Sequence, residues 1–286
     1  MTLVVPEDIW PVDSEYADLY RQKVTTGRLV AADLNACIVA IARNAMPALK
    51  NTLALVEQVQ AGFRDCRMYV YENDSTDGTD ATLDEFAASH EWFTVEHAHH
   101  DREDMRGFEK SRTKALAQYR TACQEWVRKH ASGTSLTIVL DMDPHGGFSV
   151  DGVFNSVAWL GHKQTATAAT RAGAMASCSL MIQKDGEETK IAHYDAWAAR
   201  PLSWWRDRRD EVGFYWFSTF VPPVGSPPAP FNSAFGGLCV YDTEAYLAGR
   251  YDGDDCEHVG LHRTMREAGW QLYLNPGCRY VAVIQQ

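Results

Sequence analysis

Short apolar runs alternate with amphipathic stretches through the first half of the chain. The runs predict buried strands at four places: 37–42, 68–71, 93–96 and 136–140. Apolar residues recur at helical spacing between these runs, which predicts helices over about 46–62, from about 80 onward, and over about 107–130. Strands that alternate with helices are typical of βαβ units around a largely parallel sheet. We therefore predict an α/β fold.

The second half of the chain has a less regular pattern. It predicts strands near 179–182, 237–241 and 280–284, and a helix over about 257–268. Five of the eleven prolines lie within 221–230, where a helix or a central strand is excluded, so we expect a surface loop there. This stretch is too short to link two cores, and the sequence shows no internal repeat. We expect one domain over residues 1–286.

Composition excludes several classes of protein. The chain has 286 residues, of which 45% are hydrophobic and 23% charged, as in ordinary globular proteins. The first 25 residues contain no secretory signal, and no apolar run approaches the roughly 18 residues of a membrane span. Seven cysteines are an odd number and form no CxxC motif, which favours a reduced interior. We expect a cytoplasmic protein, in the host cytoplasm if a phage encodes it.

The net charge of −11 disfavours binding to nucleic acid or to anionic membranes, but the charge is distributed unevenly. Eight basic and four acidic residues lie between Arg102 and Lys129. This local surplus of positive charge predicts a place where an anion docks.

The strongest chemical signal is the pair Asp141 and Asp143 at the end of an apolar strand. Residues i and i+2 of an extended chain point to the same side, so both carboxylates can face one crevice at the carboxyl end of the sheet. Two hard oxygen donors suit Mg²⁺ or Mn²⁺ shared with a substrate diphosphate. The alternative interpretation is a solvated acidic turn.

A second signal directly follows another strand, in the stretch YENDSTDGT at 71–79. Carboxylate and amide groups at a strand end can bind ribose hydroxyls or base edges, and Gly78 relieves the turn. Alone, this stretch would also fit a turn that caps the next helix. Its combination with Arg43 and Asn44 after the first strand, and with the later acid pair, favours a nucleotide site.

These motifs resemble those of glycosyltransferases with the GT-A fold. ENDSTDGT is similar to the DDGSTDGT-type turn of family 2 enzymes, and LDMD to their strand-terminal DxD motif. The full set, with IARN, YDAWAARP, FNSAFGG and DCEHVGLH, is more similar to the fungal capsule-associated α-mannosyltransferase type and its bacterial and phage relatives. The resemblance covers about residues 37–276.

The resemblance implies a Rossmann-like mixed sheet flanked by helices, with a nucleotide-binding half at about 37–145 and a less regular acceptor-binding half at about 146–286. It implies a nucleoside diphosphate sugar as donor and Mn²⁺ or Mg²⁺ as cofactor. The residues that it places at the donor are Arg43, Glu72, Asn73 and Asp74 for the nucleotide, Asp141 and Asp143 for the metal, and Lys110 and Arg112 for the diphosphate. Arg112 is followed by Thr113, whereas the usual family motif ends in Arg-Asn.

A third stretch, Asp254 to His258, precedes a helical pattern. Glu257 lies six residues before Arg263, which matches the spacing of the second acid in the family 2 Glu-Asp motif, where that acid is the general base for the acceptor hydroxyl. Cys256 replaces the first acid of the motif, and Asp255 is a further candidate catalytic residue. Capsule-type relatives are expected to be retaining, and in a retaining enzyme Glu257 would only orient the acceptor or donor sugar. The same acids also fit a helix N-terminus stabilised by its dipole. The resemblance makes His258 a candidate third metal ligand.

A dense group of aromatic residues lies in the second half: Trp197, Trp204, Trp205, Tyr215 and Trp216. Such a group fits sugar stacking near an acceptor groove, although aromatic residues more often belong to a core.

Together these observations predict a metal-dependent hexosyl- or pentosyltransferase. The acceptor is then a glycan, a small molecule or a hydroxymethylated DNA base. A nucleotidyltransferase would use similar strand-end acids but normally has a Gly-rich phosphate loop near the N-terminus, which is absent before Cys37. A non-catalytic sugar- or nucleotide-binding module is the third alternative.

Overall fold

A mixed β-sheet forms the centre of the protein. The computed structural model describes residues 2–102, 107, 109–161, 171–185, 188–202, 205–206 and 219–285. The strands within this part are β1 Asn35–Ala42, β2 Asp65–Asn73, β3 Phe93–Ala98, β4 Leu136–Asp141, β5 Arg171–Asp185, β6 Glu188–His193, β7 Arg200–Pro201, β8 Ala229–Ser233, β9 Leu238–Asp242 and β10 Trp270–Gln285. The helices are α1 Ala17–Ala31, α2 Ala48–Gln60, α3 Thr79–Ser89, α4 Lys110–His130, α5 Val150–Leu160, α6 Thr243–Ala248 and α7 Glu257–Glu267.

The sheet has a parallel half and a mixed half. The strand order is β3-β2-β1-β4-β9-β5-β10-β8-β7, with β6 paired to β5. Strands β3, β2, β1 and β4 are parallel, whereas β9 is antiparallel to both β4 and β5. The parallel half confirms the α/β prediction, and it brings the carboxyl ends of β1, β2 and β4 to one edge of the sheet.

Helices cover both faces of the sheet, and the alternation of side chains along β1 shows why its sequence is continuously apolar. Ile38 and Ala40 pack into a hydrophobic cluster with α2, α3 and α5. Cys37 and Val39 point to the other face and pack into a second cluster with α4, α6 and α7. A strand that is buried on both faces needs apolar residues at every position, which is the pattern that predicted it.

Three helices, α1, α5 and α6, are absent from the sequence prediction, and α1 packs against α5, which contacts β5, β9 and β10 of the mixed half. Helices α1 and α5 meet at Gly27, where a Cβ atom would lie 1.7 Å from the carbonyl oxygen of Phe154. Only a residue without a side chain permits this approach of the two backbones. Strands β5 and β10 also extend well beyond the predicted runs, and they pair in parallel with each other.

Three further expectations concerned the cysteines, the proline-rich stretch and membrane spans. All seven cysteines are free and buried. The proline-rich stretch lies outside helices and strands until β8 begins at Ala229. Among the helices in the described part of the chain, none has the length and apolar character needed to cross a membrane.

Candidate active site

A cleft of about 740 Å³ opens where β1, β2 and β4 end. The carboxyl ends of parallel strands are where open α/β sheets bind ligands. The predicted site residues that line this cleft are Arg43, Asn73, Arg112, Asp141, Asp143, Glu257 and His258. The structure therefore brings together side chains from the three separate motifs.

The loops that follow β1 and β2 are bonded to each other at one end of the cleft. The backbone N–H of Asn44 donates to Ser75 Oγ at 3.0 Å, and Asn44 Oδ1 accepts from the backbone N–H of Thr76 at 2.8 Å. Arg43 Nη2 donates to the carbonyl oxygen of Arg102 at 2.9 Å. These bonds hold Arg43 and Asn73 on the same wall of the cleft.

Glu72 and Asp74 do not line the cleft, although they flank Asn73. Glu72 is buried, with Oε1 accepting from the backbone N–H of Ser75 at 2.9 Å and Oε2 2.7 Å from Nδ1 of His97. Asp74 Oδ1 accepts from the backbone N–H of His100 at 3.0 Å. Both carboxylates thus stabilise the loop that presents Asn73.

Asp141 and Asp143 both reach the cleft, and neighbouring residues fix their backbone. The N–H of Asp141 donates to the carbonyl oxygen of Gly237 at 2.7 Å, and the Tyr280 hydroxyl lies 3.4 Å from Asp143 Oδ1. Gly237 has φ +82°, and a Cβ atom there would lie 2.4 Å from the Tyr280 ring. A glycine is required for this packing, since a side chain would displace the tyrosine that contacts Asp143.

The two aspartates have the chemistry of a divalent cation site. Asp143 is exposed to the cleft yet surrounded by protein, so burial raises the pKa of its carboxyl, and the nearby charge of Asp141 raises that pKa further. A bound dication would offset both costs. Mg²⁺ commonly uses one or two protein carboxylates together with substrate phosphates. Within the described residues, no group of three or more His, Cys, Asp or Glu side chains is arranged to hold a metal.

Glu257 lies at the start of α7 and is almost fully buried at the wall of the cleft. Burial raises the pKa of its carboxyl, and the positive charge of Arg120 acts in the opposite direction. Arg120 Nε lies 3.9 Å from Glu257 Oε1, and Arg120 Nη2 also donates to Asp141 Oδ1. One buried guanidinium therefore lies between the DxD motif and the candidate base.

Three charged residues remain of those predicted at the site, and one of them lines the cleft. Arg112 lies in the first turn of α4, donates to the carbonyl oxygen of Gly107 at 3.2 Å and lines the cleft. Lys110 and Asp255 do not line it. Lys110 is exposed, 3.7 Å from Asp254, and Asp255 receives two hydrogen bonds of 2.8 Å from Arg200.

His258 lines the cleft but is only 1% exposed, and its ring stacks on Phe235 with ring centroids 3.6 Å apart. Burial lowers its pKa well below the usual value, so the ring is neutral. Neither ring nitrogen has a hydrogen-bond partner within the described residues. The structure does not combine His258 with the two aspartates into a three-residue metal group.

Among the aromatic residues predicted near an acceptor groove, Trp197 lines the cleft, 5.2 Å from the Arg112 guanidinium. Trp205 packs against the hydrophobic cluster on the α4 face. Trp204, Tyr215 and Trp216 lie outside the described residues.

Among the cleft residues that the sequence analysis did not single out are Arg120, Asp195 and Tyr280. Arg120 was counted only as part of the basic stretch. Asp195 belongs to YDAWAARP, a motif of the family resemblance, and that membership is the signal that could have identified it. Tyr280 lies in an apolar strand, and nothing in its local pattern distinguishes it from a core residue.

Comparison with known proteins identifies the architecture. The sequence matches no protein-family model and no curated protein. The structure is similar to a crystal structure of GalNAc-T7 with UDP, GalNAc and Mn²⁺, with a TM-score of 0.54 and 14% identity over 96% of this chain and 53% of that one. It is also similar to residues 1–349 of TarS from S. aureus, with a TM-score of 0.50 and 8% identity over 87% of this chain and 60% of that one. The chain has the GT-A fold.

At sequence identities of 14% and 8%, the structural similarity establishes the GT-A fold and nothing further. The chain spans about half the length of the GalNAc-T7 structure and 60% of the TarS structure. Within its GT-A sheet, the DxD residues end β4 next to β1, so the cleft lies where the parallel half of the sheet meets β9.

Proposed function

We propose that this chain is a metal-dependent glycosyltransferase that transfers a sugar from a nucleoside diphosphate sugar to an acceptor hydroxyl. The observation that carries the proposal is that one cleft of a GT-A sheet contains the DxD pair, Arg112 and Glu257. The similar GalNAc-T7 structure contains UDP, GalNAc and Mn²⁺, which supports a donor and a metal of this kind. Among GT-A enzymes, the motif spelling favours the capsule-associated mannosyltransferase type.

In this proposal, Arg43 and Asn73 contact the nucleoside, and the Arg112 guanidinium binds the diphosphate. Charge-assisted contacts of an arginine with phosphate are strong and can be bidentate. Asp141 and Asp143 would hold Mn²⁺ or Mg²⁺, which when bound neutralises charge on the departing diphosphate. Arg120 keeps the Asp141 carboxylate in place.

Glu257 acts at the acceptor hydroxyl in this proposal. Burial raises the pKa of its carboxyl, so its carboxylate is a stronger proton acceptor than an exposed glutamate. The proton of the acceptor hydroxyl would pass to Glu257 as the oxygen attacks the sugar carbon. A retaining reaction would instead use Glu257 to orient the substrates, and the anomeric configuration of the product distinguishes the two roles.

The acceptor that fits best is a glycan or a small molecule. Among the described residues, the cleft is lined by four carboxylates and three guanidiniums, those of Asp141, Asp143, Asp195, Glu257, Arg43, Arg112 and Arg120. The net charge of −11 disfavours a polyanion such as DNA. Seven free, buried cysteines favour a reducing compartment, and we place the reaction in the cytoplasm.

A thermal-shift panel tests the proposal. UDP-, GDP- and CDP-sugars are added with and without Mn²⁺ to the wild type, to Asp143→Asn and to the exposed control Asp33→Asn. A donor at 100 times its Kd stabilises the folded state by about 2.7 kcal/mol. We expect one nucleotide class to raise the Tm of wild type and control by several degrees only with Mn²⁺, and Asp143→Asn to lose that increase. A panel with no metal-dependent shift in the wild type contradicts the proposal.

A further inference from the structure

Asp195 is a carboxylate of the cleft to which no role has yet been assigned. It follows β6 by two residues, in the turn between β6 and β7. Asp195 Oδ1 accepts from the backbone N–H of Ala198 at 3.2 Å, and Oδ2 accepts from the backbone N–H of Gly236 at 2.8 Å. Two segments distant in sequence therefore hold this carboxylate in one orientation.

These two hydrogen bonds leave much of the carboxylate available. An ionised carboxylate has about four acceptor positions, of which two are used here. The residue is only partly buried and lines the cleft. Arg200, the nearby cation whose charge acts on Asp195, makes two hydrogen bonds to Asp255. Asp195 is thus fixed in position with acceptor positions to spare.

The surroundings of Asp195 indicate which ligand would use those positions. Asp195 accepts from the backbone N–H of Gly236, and the backbone N–H of Asp141 donates to the carbonyl oxygen of the next residue, Gly237, so the two acids lie on the same part of the cleft wall. In a nucleotide sugar, the sugar is attached to the terminal phosphate of the diphosphate. A donor whose diphosphate lies at Asp141 and Asp143 therefore has its sugar next to these residues. Sugar hydroxyls are hydrogen-bond donors, and a fixed carboxylate accepts from them without reorganisation.

We propose that Asp195 binds hydroxyl groups of the donor sugar and so contributes to sugar specificity. This inference rests on the proposed function, because it assumes a nucleotide-sugar donor in the cleft. It assigns the sugar end of the donor to the turn after β6, whereas the nucleoside end lies at the loops after β1 and β2. Binding of the nucleoside diphosphate alone does not involve Asp195.

Calorimetry with matched ligands tests this inference. The affinities of UDP and UDP-glucose, and of GDP and GDP-mannose, are measured with Mn²⁺ for the wild type, Asp195→Asn, Asp195→Glu and the control Asp33→Asn. For the pair that the wild type binds, we expect the nucleotide sugar to bind more tightly than the diphosphate. Asp195→Asn should weaken the nucleotide sugar about 10- to 100-fold, as expected for a lost hydrogen bond to a charged group, and change the diphosphate less than twofold.

Asp195→Glu retains the charge but displaces the carboxylate, so it should show the same selective loss. In Asp195→Asn, the NH2 group of the amide would face one of the two backbone N–H donors. If that variant does not fold for this reason, Asp195→Glu still tests the inference. An unchanged ratio of the two affinities in a folded variant overturns the inference, as does a wild type that binds diphosphate and nucleotide sugar equally. If the wild type binds none of these ligands and the thermal-shift panel shows no response to CDP-sugars either, the proposed function itself fails.

Discussion

Replacement of Arg120 by methionine should destabilise the protein strongly. The Arg120 side chain is 3% exposed and lies between Asp141 and Glu257, whose side chains are 32% and 6% exposed. Methionine fills similar space on the cluster that α4 covers, so the change removes mainly the charge and its hydrogen bonds. Two carboxylates then remain in the cleft without their shared cation.

Loss of one partner from a buried ion pair costs about 3–5 kcal/mol, because the other charge stays buried and uncompensated. For a chain of this size each kcal/mol lowers the Tm by about 2–4 °C, so a decrease of about 6–20 °C is expected. The loss in free energy of unfolding should be smaller at low pH. Burial raises the pKa of Glu257 and Arg120 opposes that effect, so without Arg120 this pKa rises further, and the folded variant takes up a proton before the unfolded chain does and gains stability as pH falls.

Arg128→Met provides a matched control on the same helix. Arg128 pairs with Glu125 at the surface, with side chains 40% and 61% exposed, and exposed pairs contribute less than about 1 kcal/mol. Urea unfolding of both variants and of the wild type at pH 8 and pH 5 gives the comparison. If Arg120→Met is as stable as Arg128→Met at pH 8, the Arg120 charge does not hold this site together.

Three further predictions concern binding, catalysis and pH. Arg112→Ala should weaken nucleoside diphosphate binding by about 1.5–3 kcal/mol in calorimetry with Mn²⁺. Lys110→Ala should change this binding little because Lys110 lies outside the cleft, and equal losses in the two variants would contradict the diphosphate contact of Arg112. Glu257→Gln should preserve donor affinity and slow transfer about 10²- to 10⁴-fold, whereas nearly normal transfer would leave Glu257 only a structural role. Burial lowers the pKa of His262 to about 3, so between that value and about 6.5 the unfolded chain binds more protons at this residue, and stability falls as pH is lowered. His262→Gln should flatten the slope of unfolding free energy against pH by up to about 1.4 kcal/mol per pH unit, and identical slopes would refute this.

The central strands of the parallel half were predictable because they are apolar at nearly every position. A strand such as β1 is buried on both faces, and a short apolar run bounded by turn residues is typical of such a strand. Helix α5 was missed although its apolar residues form one stripe, because the segment is short and Gly152, Asn155 and Ser156 are weak helix formers.

Local patterns alone predicted the part of the site at strand ends, whereas Arg112 and Glu257 were predicted through the family resemblance. Asp141 ends β4 and Asp143 follows it, and the rule for strand ends placed both at the cleft. Glu72 was predicted to face the nucleotide, yet its carboxylate bonds to Ser75 and His97, since a buried acid takes the donors that its loop provides.

Arg120 shows the limit of reading a pattern along one helix. Charged residues are rarely fully buried, so the sequence placed it with the surface basic residues. Its partner, Asp141, lies 21 positions away on a different element, and only the fold brings the two together.

Release of nucleoside diphosphate from a nucleotide sugar is the most direct test of the central claim. The measurement uses the donor selected by the thermal-shift panel, with Mn²⁺, for wild type, Asp143→Asn and Asp33→Asn. We predict release by the wild type and by Asp33→Asn that stops when EDTA is added, and a loss of at least about 100-fold in Asp143→Asn, as for removal of an electrostatic contact to the leaving group. Equal release by Asp143→Asn and the wild type, or release that persists in EDTA, would contradict a metal-dependent transferase site at the end of β4.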